Sequence, residues 1–214
     1  AEALLQACCR VARAQARQPV FGFCHSGVQI GAMQAAMGGT HLYLTRDPRD
    51  QFYSYAPRDN DFFVSATLLQ LLAAPRLRPW VLAQRPLFGA VTQPAWLREL
   101  PHRAAMRLGR ALSRRLSLPE AYQVFYLSWL ASQAAAEQAG LWTTSLARLA
   151  RDPVDRTVLS EAFGVQFPDL AHRSNPVATL GLDFARLEHA VERWWDGAAG
   201  LVLSGRPAAA GPEV

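Results

Sequence analysis

"HLYLTRDPRDQFYSYA", His41–Ala56, decides how the chain is read. A short apolar run from His41 to Thr45 ends on Arg46, Asp47-Pro48 follows, and Ser54 stands eight positions after the arginine. The run has the length and content of a buried strand. Asp47 as N-cap, Pro48 at the first helical position and Asp50 in the first turn predict a helix through about Tyr55. In an open α/β sheet, ligands bind beyond the carboxyl ends of the strands, where Arg46 is expected. The next helix would offer backbone N–H groups and a favourable dipole to an anion. Ser54 falls about two turns into it. A guanidinium fork from the strand and a hydroxyl from the helix make a clamp for one phosphate. The alternative is that Arg46 pairs with Asp47 or Asp50 and Ser54 is an ordinary helix residue.

Working outward, "PVFGFC", residues 19–24, reads as a second buried strand, separated from the first by a turn at Ser26-Gly27 and a helix over Val28–Met37. Strand, helix, strand implies a right-handed parallel crossover. Residues 1–17 have helical periodicity. From 57 to 101, six prolines cut the chain into short helical pieces. Helices are then predicted over 104–116, 119–139, 152–163 and 183–195, with a third strand at "LWTTS", 141–145. The expectation is a three-layer α/β domain over residues 1–203 with a short parallel sheet, and a disordered tail over 204–214.

Composition narrows the class. All 22 cationic residues are arginine, against 17 acids, for a net charge of +5. The arginines run along the whole chain, so the bland reading is compositional drift, and nucleic acid is not expected as a partner. Cys8, Cys9 and Cys24 have no metal-type spacing and are odd in number, which predicts reduced thiols, a cytoplasmic setting and no metal. The longest apolar tract, "AYQVFYLSWLASQAAA", is interrupted by glutamines and too short to span a bilayer. The start, "AEALLQACCR", reads as already inside a helix, so residues upstream of Ala1 are expected.

"YLTRDPRDQFYSY" resembles the 3′-phosphate-binding segment of the sulfotransferases that use 3′-phosphoadenosine 5′-phosphosulfate. In that family a strand ends in Arg, often as R-D-P-R-D, and a Ser follows eight residues later. "SLARLARDPVDRTVLSEAFGV", 145–165, is similar to a later family segment, although Leu146 and Ala147 stand where many members have Tyr-Glu. The two segments cover about a quarter of the chain. The resemblance implies a P-loop-type α/β fold and sulfuryl transfer to a hydroxyl or amine of a small-molecule or glycan acceptor. It implies that Arg46 and Ser54 hold the 3′-phosphate, that Arg173 in "HRSNP" is a weaker third contact, and that His25 is the base. His25 follows the 19–24 strand, 21 residues before Arg46, a separation similar to the family's. No P-[KR]-S-G-T-T loop for the 5′-phosphosulfate is present, and "FCHSGVQIGAM" lacks the Thr pair. That loop is expected upstream of Ala1, or lost. In the latter case the chain is a non-catalytic remnant that binds nucleotide or a partner protein.

Other motifs were weighed. Arg103, Arg107, Arg110 and Arg114 line one face of the predicted 104–116 helix, a grip for a polyanion or membrane surface, or simply a solvated face. An arginine-rich binding module is therefore a rival to the enzyme reading. Trp194-Trp195 suit stacking on a sugar or base, or core packing. Asp59, Asp61 and Glu99 form no recognisable carboxylate pair. Phe62, Phe63, Trp80, Phe88 and Trp96 suit either an acceptor pocket or a core.

Overall fold

A computed structural model describes residues 2–16, 30–37, 39–56, 61–164, 166–167 and 175–203. In chain order the elements are α1 (Glu2–Ala14), α2 (Ile30–Met37), β1 (Leu42–Thr45), α3 (Pro48–Tyr53), α4 (Asp61–Ala73), α5 (Arg78–Gln84), α6 (Phe88–Val91) and α7 (Pro94–Glu99). They continue with α8 (His102–Ser113), α9 (Leu118–Gln138), β2 (Trp142–Ser145), α10 (Leu146–Arg151), α11 (Pro153–Phe163), a 3-10 turn (Val177–Leu180) and α12 (Phe184–Leu203). The chain forms two compact units, one of Ala1–Arg46 with Ala131–His172, the other of Asp47–Leu130 with Arg173–Val214. The fold is mixed α/β, rich in helix, with one two-stranded parallel sheet among the described residues. The predicted 19–24 strand and the 204–214 tail lie outside the described residues.

The first unit carries the sheet. Leu42 pairs with Trp142 and Thr45 with Ser145, in parallel register, and Thr45 Oγ1 donates to the Thr144 carbonyl at 3.2 Å. Ser145 ends β2 and caps α10, its hydroxyl accepting from the Arg148 N–H at 3.1 Å. Asp152 caps α11 by accepting from Val154 N–H, at 2.9 Å, and Asp155 N–H, with Pro153 opening the helix. Gly164, at φ 62°, closes α11 in the left-handed region, which only a glycine enters without strain. The Ser and the Asp-Pro pair thus act as the sequence anticipated.

The second unit is a helical pack. α4 is the central helix: α5, α7 and α8 all pack on it, and Leu68, Leu71 and Leu72 are fully buried. Its mostly apolar sequence suits a helix covered on several sides. The α4–α8 contact is close because Gly109 has no side chain. A Cβ there would lie 2.8 Å from Leu69 Cδ1 and 3.1 Å from the Ser65 carbonyl oxygen. Ser65 and Ser113 hydroxyls satisfy each other across the same contact at 2.9 Å. The start of α9 is fixed by a capping arrangement, with Glu120 Oε2 accepting from both the N–H and the hydroxyl of Ser117 at 2.7 Å. Glu120 also receives Arg85 Nη2 at 2.6 Å.

Two predicted boundaries are corrected. α3 stops at Tyr53 rather than running to Tyr55, because Ser54 is its C-cap and turns its hydroxyl onto the Gln51 carbonyl. α12 runs well past Trp195, to Leu203.

Placing a branched side chain at Gly109 overpacks the α4–α8 contact. Gly109→Val is expected to lower unfolding stability by about 1–3 kcal/mol despite valine's better helix propensity. Urea melts beside the native chain measure the difference.

Candidate functional site

Arg46 follows β1 directly and is the last residue of the first unit; it is half-buried. The second unit begins at Asp47, whose side chain accepts from Arg49 N–H at 2.9 Å and Asp50 N–H at 3.1 Å. The Gln51 N–H is taken by the Asp47 carbonyl at 2.9 Å. These N–H groups were expected to face an anion; the N-cap satisfies them internally instead. Ser54 sits at the far end of α3, half-buried, its Oγ 2.6 Å from the Gln51 carbonyl oxygen. Its hydroxyl donates to that carbonyl here, and holding a phosphate requires the hydroxyl to turn and donate outward instead.

The other two charged residues of "RDPRD" are built into the second unit. Asp50 is 5% exposed. Its Oδ1 accepts from Asn175 N–H at 2.8 Å, and its carbonyl accepts from Asn175 Nδ2 at 2.9 Å. These two hydrogen bonds tie Asn175, just before the 3-10 turn, to α3. Arg49 reaches α12, where Nε donates to Glu188 Oε1 at 2.8 Å and Nη2 to Oε2 at 2.6 Å. The guanidinium also lies 5.7 Å from the centroid of the Phe184 ring.

Glu188 is the hub of that contact. It is 9% exposed, and the Tyr122 hydroxyl on α9 donates to the same Oε1 at 2.5 Å. One turn along both helices, Tyr126 donates to Glu192 Oε1 at 2.7 Å. Burial opposes ionisation of Glu188, but the Arg49 fork, the Tyr122 hydroxyl and the attraction of Arg49 outweigh it and hold the carboxyl below its usual range. Burial and the bond to Glu188 push the Tyr122 phenol far above its ordinary range, and burial with Glu192 does the same for Tyr126. The ring of Tyr122 meets Phe52 edge-on at 5.1 Å and Phe184 at 4.8 Å, so the polar cluster is walled by aromatics.

His25 and Arg173 lie outside the described residues, as does Cys24. Of the aromatic side chains expected to line an acceptor pocket, Trp80 and Phe88 are core, each 3% exposed, and Phe63 stacks on Tyr55 at 4.3 Å. Phe62 and Trp96 are exposed. Trp194 meets Trp80 edge-on at 6.5 Å, a packing role rather than an open stacking platform. No group of three or more His, Cys, Asp or Glu among the described residues is placed to hold a metal ion, and no described helix is long and apolar enough to cross a membrane.

Reasoning from sequence missed the Arg49–Glu188–Tyr122 cluster. One signal was available. Phe184, Glu188 and Val191 stand at i, i+4 and i+7 on the last helix, so an acid occupies its apolar stripe and calls for a cation from elsewhere. The matching spacings, Tyr122 and Tyr126 against Glu188 and Glu192, mark two helices that run alongside each other.

No protein-family model matches the chain, no curated protein matches it in sequence, and no solved structure matches its fold.

The cluster sets the pH range of stability. Glu188, with its folded pKa lowered, contributes stability above its unfolded value of about 4.3 and loses it as pH falls below that. Tyr122, with its folded pKa raised, contributes below about 10 and loses that contribution as pH rises further. Tyr122→Phe is expected to lower stability at neutral pH by about 1–2 kcal/mol and to flatten the decline above pH ~10. Denaturant melts across pH check both effects.

Proposed function

We propose that the chain is a sulfotransferase-like protein that takes 3′-phosphoadenosine 5′-phosphosulfate as co-substrate, with Arg46 and Ser54 as anchors of its 3′-phosphate. The observation that carries the reading is the strand–Arg–Asp-Pro–helix–Ser order. Arg46 directly follows the carboxyl end of β1, Asp47 and Pro48 open α3, and Ser54 ends it. The second resembling segment supports it, since β2 pairs parallel with β1 and leads through Ser145 and Asp152 caps into α10 and α11. In the reaction, His25 takes the proton of an acceptor hydroxyl and the oxygen attacks sulfur in line. The bond from sulfur to the departing phosphate oxygen breaks, and adenosine 3′,5′-bisphosphate leaves. Arg173 is a further candidate contact to the nucleotide. The acceptor is a small molecule or a glycan, no metal takes part, and the setting is cytoplasmic.

A second reading is favoured by one observation. The N–H groups at the start of α3 are occupied by Asp47, and Arg49 and Asp50 are engaged inside the second unit. Fewer donors are then left for nucleotide than the motif suggests. On this reading the chain is a non-catalytic domain that binds nucleotide or a partner protein.

Calorimetric titration of adenosine 3′,5′-bisphosphate into the native chain, Arg46→Ala and Ser54→Ala tests the assignment. Saturable binding to the native chain is expected, with a loss of about tenfold or more in Arg46→Ala and less in Ser54→Ala. Binding that survives both substitutions overturns the 3′-phosphate site. Binding without transfer of labelled sulfate to any phenol, sugar or amine acceptor favours the second reading.

A further inference from the structure

One helix of the chain concentrates positive charge. Between Glu99 and Glu120 there is no carboxylate, and five arginines, at 103, 107, 110, 114 and 115, fall in that interval. The carboxylate-free stretches between Glu2 and Asp47 and between Asp61 and Glu99 are longer and hold four arginines each, so this interval is the densest of the three in positive charge. At 100° per residue, Arg103, Arg107, Arg110 and Arg114 fall within about 60° of arc, and Leu112 is diametrically opposite Arg103. The structure agrees: Leu112 is 3% exposed, and Gly109 and Ser113 are buried against α4. All four arginines, together with Arg115 and His102, are exposed. The ridge is straight and about 16 Å long. Arg103 and Arg107 make no hydrogen bond or ion pair to other described residues.

We propose that this ridge is an adsorption surface for a bilayer carrying anionic lipid headgroups. This function is separate from the nucleotide reading. A row of guanidinium groups on a flat helical face complements a two-dimensional array of phosphates, at roughly 1 kcal/mol per arginine. Two further observations favour a bilayer over a nucleic acid. The ridge has Ala104 and Ala111 between its arginines, with none of the interleaved aromatics on which bases stack. Large apolar side chains are exposed on the same unit next to α8 in the chain: Trp96 at 47% on α7 and Leu118 at 39% at the start of α9. Trp is a side chain enriched at headgroup depth. The apolar face of α8 is packed on α4, so the helix adsorbs through charge without burying that face in lipid.

The test is co-sedimentation of the full chain with vesicles of phosphatidylcholine alone and of phosphatidylcholine with one third phosphatidylglycerol, at physiological ionic strength. Binding is expected only to the anionic vesicles. Arg103→Gln with Arg107→Gln is expected to weaken it about thirtyfold, and Arg103→Glu with Arg107→Glu further. Trp96→Ala is expected to weaken it severalfold with the salt dependence unchanged. Both arginine positions are exposed, and matching thermal melts confirm that the variants fold. Equal binding to the two vesicle types overturns the proposal, as does anionic binding that the arginine variants retain. Failure to bind anionic vesicles, with tight binding of duplex DNA or heparin under the same salt, overturns it in favour of a soluble polyanion.

Discussion

The forked pair between half-exposed Arg49 on α3 and buried Glu188 on α12 is the constraint that organises the second unit. A carboxylate 9% exposed among aromatic rings is unfavourable unless its oxygens are all satisfied, and here two guanidinium N–H groups and a phenol satisfy them. Because the donors come from α3 and α9, one side chain of α12 sets the position of two other helices. α3 is six residues long and has little helical stability of its own. Its geometry is borrowed from Glu188 through Arg49, from Asn175 through Asp50, and from the burial of Phe52 among Tyr122 and Phe125.

This changes how the central motif is understood. "RDPRD" looks like a single functional string, yet its members divide. Asp47 caps, Arg49 and Asp50 hold the helix to α12 and to Asn175, and Arg46 follows the strand. The three residues that build α3 fix the position of Ser54 at its end. Ser54 ends a helix that is pinned on both sides, so the proposed anchor is placed by packing rather than by a free loop. The same economy is visible in α8, where Gly109 lets one face approach α4 closely while the opposite face carries a row of exposed arginines.

Much of the local structure was legible because it rests on local rules. Asp47-Pro48 and Asp152-Pro153 announced helix starts, and the strands at Leu42–Thr45 and Trp142–Ser145 were visible as short apolar or β-branched runs. The basic helix was visible from its period. What escaped were contacts between residues far apart in the chain, such as Arg49 with Glu188, 139 positions away, and Asp50 with Asn175, 125 away. Spacing cannot show which arginine of a pair turns inward, since both sit in the same dipeptide environment. The end of α3 escaped for a different reason. Ser54 competes for a carbonyl of its own helix, a choice that propensity leaves open.

The most direct test of this account is a double-mutant cycle on unfolding stability with Arg49→Ala, Glu188→Ala and the pair. Arg49 keeps 41% of its side chain exposed, which tempers the energy, and Glu188 only 12%. A coupling of about 1.5–3 kcal/mol is predicted, with Glu188→Ala the more damaging single change because it strands both Arg49 and Tyr122. Additive effects, within about 0.5 kcal/mol, would contradict the claim that this pair organises the unit.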